Sequence, residues 1–325
     1  MSATMIMTLC VPAFAIETEE SQMDELLESK IAIESEIMDG EEFFEYLSCL
    51  PGTIITNEYD RYLEEKAGAE ERIDRGVGTL EDRELVEFDY REYYYGLKEK
   101  SEEELAKMGY NPERIEIIKN FKGTESEIRL ASADVAGTMT IVKVSKKSTN
   151  RLDIRVRYDF SVSGVFAIKK TDTILVGNVN EFVYDPDEDT ATCGITYKAG
   201  GASKTYSKEV EPTIAKGTSY QTVQAPFEYT VYKPLGADSA YPYYISKGHM
   251  YVTFQNNDGK NQAIFSGEYK HLTITASVQD LIAAIIACET GAYSAGLMSI
   301  TKFVLSVQES AKSYGYDEKL AKYVP

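Results

Sequence analysis

The chain has no tryptophan, only two histidines among 325 residues, and four cysteines, so several chemistries are short of raw material from the outset. Cys10, Cys49, Cys193 and Cys288 stand far apart. That spacing is neither a disulfide framework nor the paired pattern of a zinc site. No Gly-x-Ser-x-Gly elbow, Walker loop or dinucleotide-binding glycine pattern occurs. Basic residues are also scarce: 34 Lys and Arg face 53 Asp and Glu, a formal net charge of −19. The deficit is local. Residues 16–127 hold 33 acids and 13 bases, whereas the remainder holds 20 acids and 21 bases. A field of that sign repels phosphate backbones, so nucleic acid is not an expected partner.

What the chain does have is 43% apolar residues, enough for a substantial core. It opens on an apolar stretch, Met5 to Val11, followed by Pro12 and Ala13-Phe14-Ala15. Small residues at the −3 and −1 positions predict a signal peptide over 1–15, cleaved after Ala15, and hence an extracellular or cell-surface protein. The pattern departs from the rule in one respect: Met1 to Thr4 carry no Lys or Arg.

Residues 16–123 read as an acidic α-helical region. Phe43, Phe44 and Leu47 mark a short helix ended by Pro51-Gly52. Thr56 to Arg75 has a charged helical pattern. Thr79 with Asp82 predicts a helix start, after which Val86, Tyr90, Tyr93, Tyr94 and Leu97 form one stripe. Ser101 with Glu104 makes a capping box, Gly109 suits a left-handed helix end, and Asn111-Pro112 opens a second helix carrying Ile115, Ile118 and Phe121. This helical hairpin, 101–123, resembles one found before a β-rich region in uncharacterised exported proteins of Gram-positive bacteria. The resemblance implies secretion and bacterial origin and brings no catalytic residues with it.

From Ile128 the period changes to two. Leu152, Ile154, Val156, Tyr158, Phe160 and Val162 alternate with Asp153, Arg155, Arg157, Asp159 and Ser161, which predicts a strand with its apolar face inward and its charged face toward solvent. Gly137 to Val144 is its expected hairpin partner. Further short strands separated by turn residues predict an antiparallel β-sandwich over 124–276. Residues 277–325 return to a helical pattern and read as a C-terminal helical segment. Its stretch from Leu281 to Val307 contains only Glu289 and Lys302 as charges. At about 1.5 Å per residue such a stretch is long enough to cross a bilayer, although packing on the sandwich is the plainer expectation. The fold class is therefore α+β.

Candidate site residues are few. Tyr241, Tyr243, Tyr244 and Tyr251 crowd one region and form a candidate ligand surface. Lys143, Lys146, Lys147, Arg151, Arg155 and Arg157 cluster about the first hairpin, a patch for an anionic partner: a cell-wall polymer or the acidic part of the chain itself. Asp185, Asp187 and Asp189 begin like a calcium loop. The loop's sixth and twelfth positions, Thr190 and Thr196, break the pattern and leave at most a surface calcium ion and no resident cofactor. His249 and His271 are expected on the two arms of one hairpin about Asn256–Gly259, out of register with each other. The functional expectation is a secreted or cell-surface binding protein without enzymatic activity. The alternatives are a membrane-active protein, pore-forming or bacteriocin-like, using residues 281–307, and an extracellular hydrolase whose site is assembled from distant residues.

Overall fold

The computed structural model describes residues 27, 29–168, 171–179, 182–184, 191–215, 222–258, 262–271 and 314–322. It is an α+β fold, with helices followed by antiparallel sheets. The helices are α1 (29–37), α2 (Gly40–Ser48), α3 (Glu58–Asp74), α4 (Leu80–Glu87), α5 (Tyr90–Lys98), α6 (Glu102–Lys107), α7 (Pro112–Lys119) and α8 (Glu125–Ala131). A short strand, β1 (Ile54–Asn57), separates α2 from α3.

Local chemistry sets most of these boundaries. Asp39/Glu42, Thr79/Asp82, Ser101/Glu104 and Thr124/Glu127 are reciprocal capping boxes, each satisfying two of the amide groups that a helix start leaves unpaired. Asn57, Asp89 and Asn111 cap three more helices. The Thr124/Glu127 box corrects one expectation. The chain does not turn to strand at Ile128, because α8 runs on to Ala131 and buries Ile128 and Ala131 with the helices. That helical core is largely aromatic. Tyr62, Tyr90, Tyr94 and Phe121 lie with Leu97 and Ile118, and the Tyr62 and Tyr90 rings are 4.6 Å apart.

The strands are β2 (Asp134–Lys146), β3 (Leu152–Ser163), β4 (Thr171–Val179), β5 (Val183–Tyr184), β6 (Ala191–Ala199), β7 (Thr205–Val210), β8 (Thr213–Ile214), β9 (Thr222–Glu228), β10 (Thr230–Leu235), β11 (Asp238–Asn256), β12 (Gln262–His271) and β13 (Tyr314–Lys322). They form two sheets. Sheet A runs β1-β2-β3-β11-β6-β7, with β10 and β5 also paired to β11; sheet B runs β13-β12-β4-β9-β8. The predicted β2–β3 hairpin is present, with Val156 opposite Ile141. β11 is the longest strand at 19 residues, pairing β10 and then β3 along one edge and β6 and then β5 along the other. The inner faces share one core, in which Phe160 and Tyr269, from different sheets, stand 4.5 Å apart.

The packing leaves no space at Gly267. A Cβ there would overlap the Tyr158 ring and lie 2.7 Å from the Met139 methyl. The methyl can swing aside, but the ring is held in the core. Gly267→Ala is therefore expected to cost about 1–3 kcal/mol, the usual range for overpacking. A urea melt with an unchanged midpoint would contradict this account of the core.

Two further expectations are corrected. His249 and His271 do not share a hairpin, because β11 belongs to sheet A and β12 to sheet B. The chain crosses between sheets after Asn256, where a second sheet offers a buried apolar face that a returning hairpin would not. The expected C-terminal helical segment also ends differently. Residues 277–313 lie outside the described residues, and Tyr314–Lys322 is a strand paired to β12, with Ile264 opposite Leu320.

Candidate functional site

Helices α1 and α2 lie across the outer face of sheet A, on the side where the sequence predicts charges facing solvent. They are held there by polar contacts. Arg157 Nη2 donates to Ser35 Oγ at 3.0 Å, Lys247 Nζ donates to the Ser35 carbonyl at 2.5 Å and to that of Met38, and Ser161 Oγ donates to the Gly40 carbonyl at 2.7 Å. Lys198 pairs with Asp39 at 2.9 Å, and Ser163 Oγ donates to Glu41 at 2.7 Å. Gly40 permits this approach, since a Cβ there would lie 2.7 Å from Ser246 Cβ. As a result Arg157 and Asp159 are buried, at 2% and 0% exposure.

The helices cover β3 and β11 and leave the outer face of β6 and β7 open. The result is a groove of about 1150 Å3. Residues 35–40 form one wall, and the floor includes Thr192, Gly194 and Thr196 of β6, Ser207 and Glu209 of β7, and His249 of β11. His249 is opposite Asp159 on one side and Gly194 on the other, and its ring lies where a Cβ on residue 194 would be. Burial lowers the His249 pKa; the Asp159 charge opposes that and the Arg157 charge adds to it. Burial also lowers that of Lys247, against the pull of Asp39 and Glu42. The groove thus offers hydroxyls, a largely neutral imidazole and carboxylates, a surface suited to hydrogen-bonding a polar ligand. Cys193, behind it, points into the core, where burial pushes its thiol up to about 12. Cys193 and Cys49 are free thiols, and Cys288 lies outside the described residues.

The sequence-based candidates scatter. Tyr243 is buried in the core and donates to the Pro234 carbonyl, whereas Tyr241 donates to the Gly200 carbonyl beside Lys107. Tyr244 packs against Gly109, whose φ of +98° places the α6–α7 turn on its ring. Tyr241 and Tyr244 thus hold the helical hairpin to β11. Tyr251 sits apart, seven residues along the strand, with Arg155 and Arg157 each 4.8 Å from its ring centre. In the basic cluster, Lys143, Lys146, Lys147 and Arg155 are exposed, Arg151 pairs with Asp153 at 2.9 Å, and Arg157 is the buried partner of Asp159. Asp185, Asp187 and Asp189 lie outside the described residues. Among the described residues no three His, Cys, Asp or Glu side chains are placed to hold a metal ion.

A second polar cluster, which no local sequence pattern marks, lies at the join between helices and sheets. His271 Nδ1 lies 2.7 Å from Asp172 Oδ1 and its Nε2 lies 2.5 Å from the Ile168 carbonyl, while the ring stacks on Phe166 at 3.6 Å. Tyr269 donates to the other Asp172 oxygen. Glu58, at the start of α3, is 2% exposed and accepts from the amides of Ala167 at 2.7 Å and Ala133 at 3.3 Å. Burial would favour a neutral imidazole, but the Asp172 and Glu58 carboxylates more than offset it and hold the His271 pKa above its ordinary value. Burial raises that of Glu58. In the sequence Glu58 is one acid among many, and only its position after Asn57, a helix N-cap, sets it apart.

His271 is also the last residue of β12. The chain next described is β13, its neighbour in sheet B, so 42 residues, 272–313, connect two adjacent antiparallel strands. Hairpin connections ordinarily take about 2–5 residues. This one includes the apolar stretch 281–307.

No family model matches the chain. No curated protein matches it in sequence either. Among solved structures, a pore forming protein aligns over 42% of this chain and 67% of its own, at 7% identity and a TM-score of 0.16. AvmM, described as catalysing macrocyclization in alchivemycin A biosynthesis, aligns over 44% and 76%, at 10% identity and 0.19. Clostridium perfringens delta-toxin aligns over 42% and 68%, at 11% identity and 0.14. TM-scores this low establish no common fold and carry no functional inference.

Proposed function

We propose that this is an exported protein that acts on a membrane through residues 272–313, presented from the β12–β13 pair. One observation carries the reading. A long apolar connection stands where two neighbouring antiparallel strands need only a tight turn. Connections that far exceed the usual length within a compact fold are commonly functional. The stretch from Leu281 to Val307 has the length and composition for a bilayer. Among the described residues no helix is long and apolar enough to cross a membrane. In this reading the chain is a helical region, a β-sandwich and a C-terminal apolar segment that returns to the sandwich as β13.

The pairing of β12 with β13 supplies the test. A variant in which a short Asn-Gly turn joins His271 to Tyr314 keeps both strands and is expected to fold. The full chain should release dye from lipid vesicles at micromolar protein, and the short-turn variant should release none while keeping its circular dichroism. Failure of the full chain to bind or permeabilise any vesicle would overturn the reading.

A second reading is an exported binding protein, favoured by the hydroxyl-lined groove on sheet A. It makes the opposite prediction: ligand binding would survive removal of 272–313 and fail when Thr192 and Thr196 are enlarged to block the floor.

A further inference from the structure

We propose that the open end of the outer face of sheet A, around Lys143 and Arg155, binds a linear phosphate-bearing polymer. Lys143 and Arg155 are directly opposite each other in the β2–β3 ladder, and both are exposed. Like charges at opposed positions on one face repel and destabilise the strand pair. A sheet evolved for stability alone would place an acid at one of the two. Among the described residues neither has a carboxylate partner. The nearest acid on that face of β3, Asp153, is already paired to Arg151.

Toward the hairpin end, roughly 10 Å or more beyond Lys143 at the usual strand rise, come two further exposed cations: Lys147, and Lys146, which starts from the other face of the ladder opposite the core residue Leu152. The outer-face cations therefore follow β2 toward the hairpin end. Arg155 rests against the Tyr251 ring, which limits its rotamers and leaves the edge of its guanidinium to donate. A fork of N–H donors at one end of these ammonium groups matches successive phosphates of a chain. The strongly acidic helical region repels anions elsewhere on the molecule, so its field directs a polyanion to this end. A flat membrane fits less well. The hairpin end, Ser148-Thr149-Asn150, is entirely polar and has no apolar side chain to anchor in lipid. The proposal does not depend on residues 272–313.

The test exploits the opposed signs of binding and stability. Lys143→Glu replaces the repelling pair with an attracting one, so the variant should melt at the same temperature as the wild type or higher. Its affinity for inorganic polyphosphate should nevertheless fall about fivefold or more, on the scale of one surface cation. Wild-type binding should weaken steeply with salt, and Arg155→Glu should weaken it similarly. Absence of polyphosphate binding by the wild type, or equal binding by K143E, would overturn the proposal. Phosphatidylglycerol vesicles separate the two sources of phosphate. Vesicle binding that falls with K143E as polyphosphate binding does would assign the patch to lipid headgroups and overturn the polymer. Vesicle binding indifferent to K143E, with polyphosphate binding lost, supports it.

Discussion

Arg157→Met should destabilise the protein by about 3–5 kcal/mol, the range for stranding one member of a buried ion pair. The guanidinium donates to both Asp159 oxygens, at 2.7 and 2.6 Å, and to Ser35 and Tyr251. With exposures of 2% and 0%, neither partner has water to fall back on. Removing the arginine leaves the Asp159 carboxylate buried beneath α1 with no cation to offset its desolvation. The double variant Arg157→Met/Asp159→Asn removes both charges and should recover most of the loss, because the cost lies in the uncompensated charge more than in the missing contact. Urea denaturation of the two single variants and the double one closes the cycle. A single-variant loss below about 1 kcal/mol would mean that the pair is hydrated and that α1 does not seal this face.

His271→Asn should be the other large effect, with a characteristic dependence on pH. The folded-state pKa of His271 is raised, so its contribution is fully present below the unfolded value near 6.5 and is lost as pH rises through the folded value. Glu58, raised by burial, acts in the same sense from about 4.5 upward. His249, lowered by burial, acts oppositely, but its contribution is complete above about 6.5. Above pH 7 His249 therefore adds no slope, and His271 and Glu58 act together. Wild-type melting temperature should fall between pH 7 and pH 9. The His271→Asn variant should be less stable by several kcal/mol at pH 6, since it leaves the buried Asp172 without its cation, and its curve should be flatter. Parallel curves for the two proteins would show that His271 is neutral in the folded state.

These two clusters mark where sequence reading stopped. The β3 alternation was legible, and it correctly separates Leu152, Ile154, Val156, Tyr158 and Phe160 from the polar set. It could not show that Arg157 and Asp159 on the other face are buried as well, because period two sorts residues into faces without saying what covers each face. The cover comes from α1 and α2, over a hundred residues earlier in the chain. The tyrosine-rich stretch around 241–251 was legible as a contact region. Its contacts turn out to be largely with this chain's own helical hairpin, through Tyr241 and Tyr244.

The sequence by itself determined the elements whose causes lie within a few residues. These are the helix starts at Thr79, Ser101 and Asn111, where a side chain reaches an amide three positions on, and the strands whose alternation spans a single segment. Only the tertiary structure decided that His249 and His271 face different surroundings in different sheets, that His271 meets Asp172 and Glu58, and that β12 pairs with a strand 42 residues further on. Each of these is a long-range pairing. Its free energy depends on contacts between groups that are distant in the chain, and no local pattern encodes which distant group that will be.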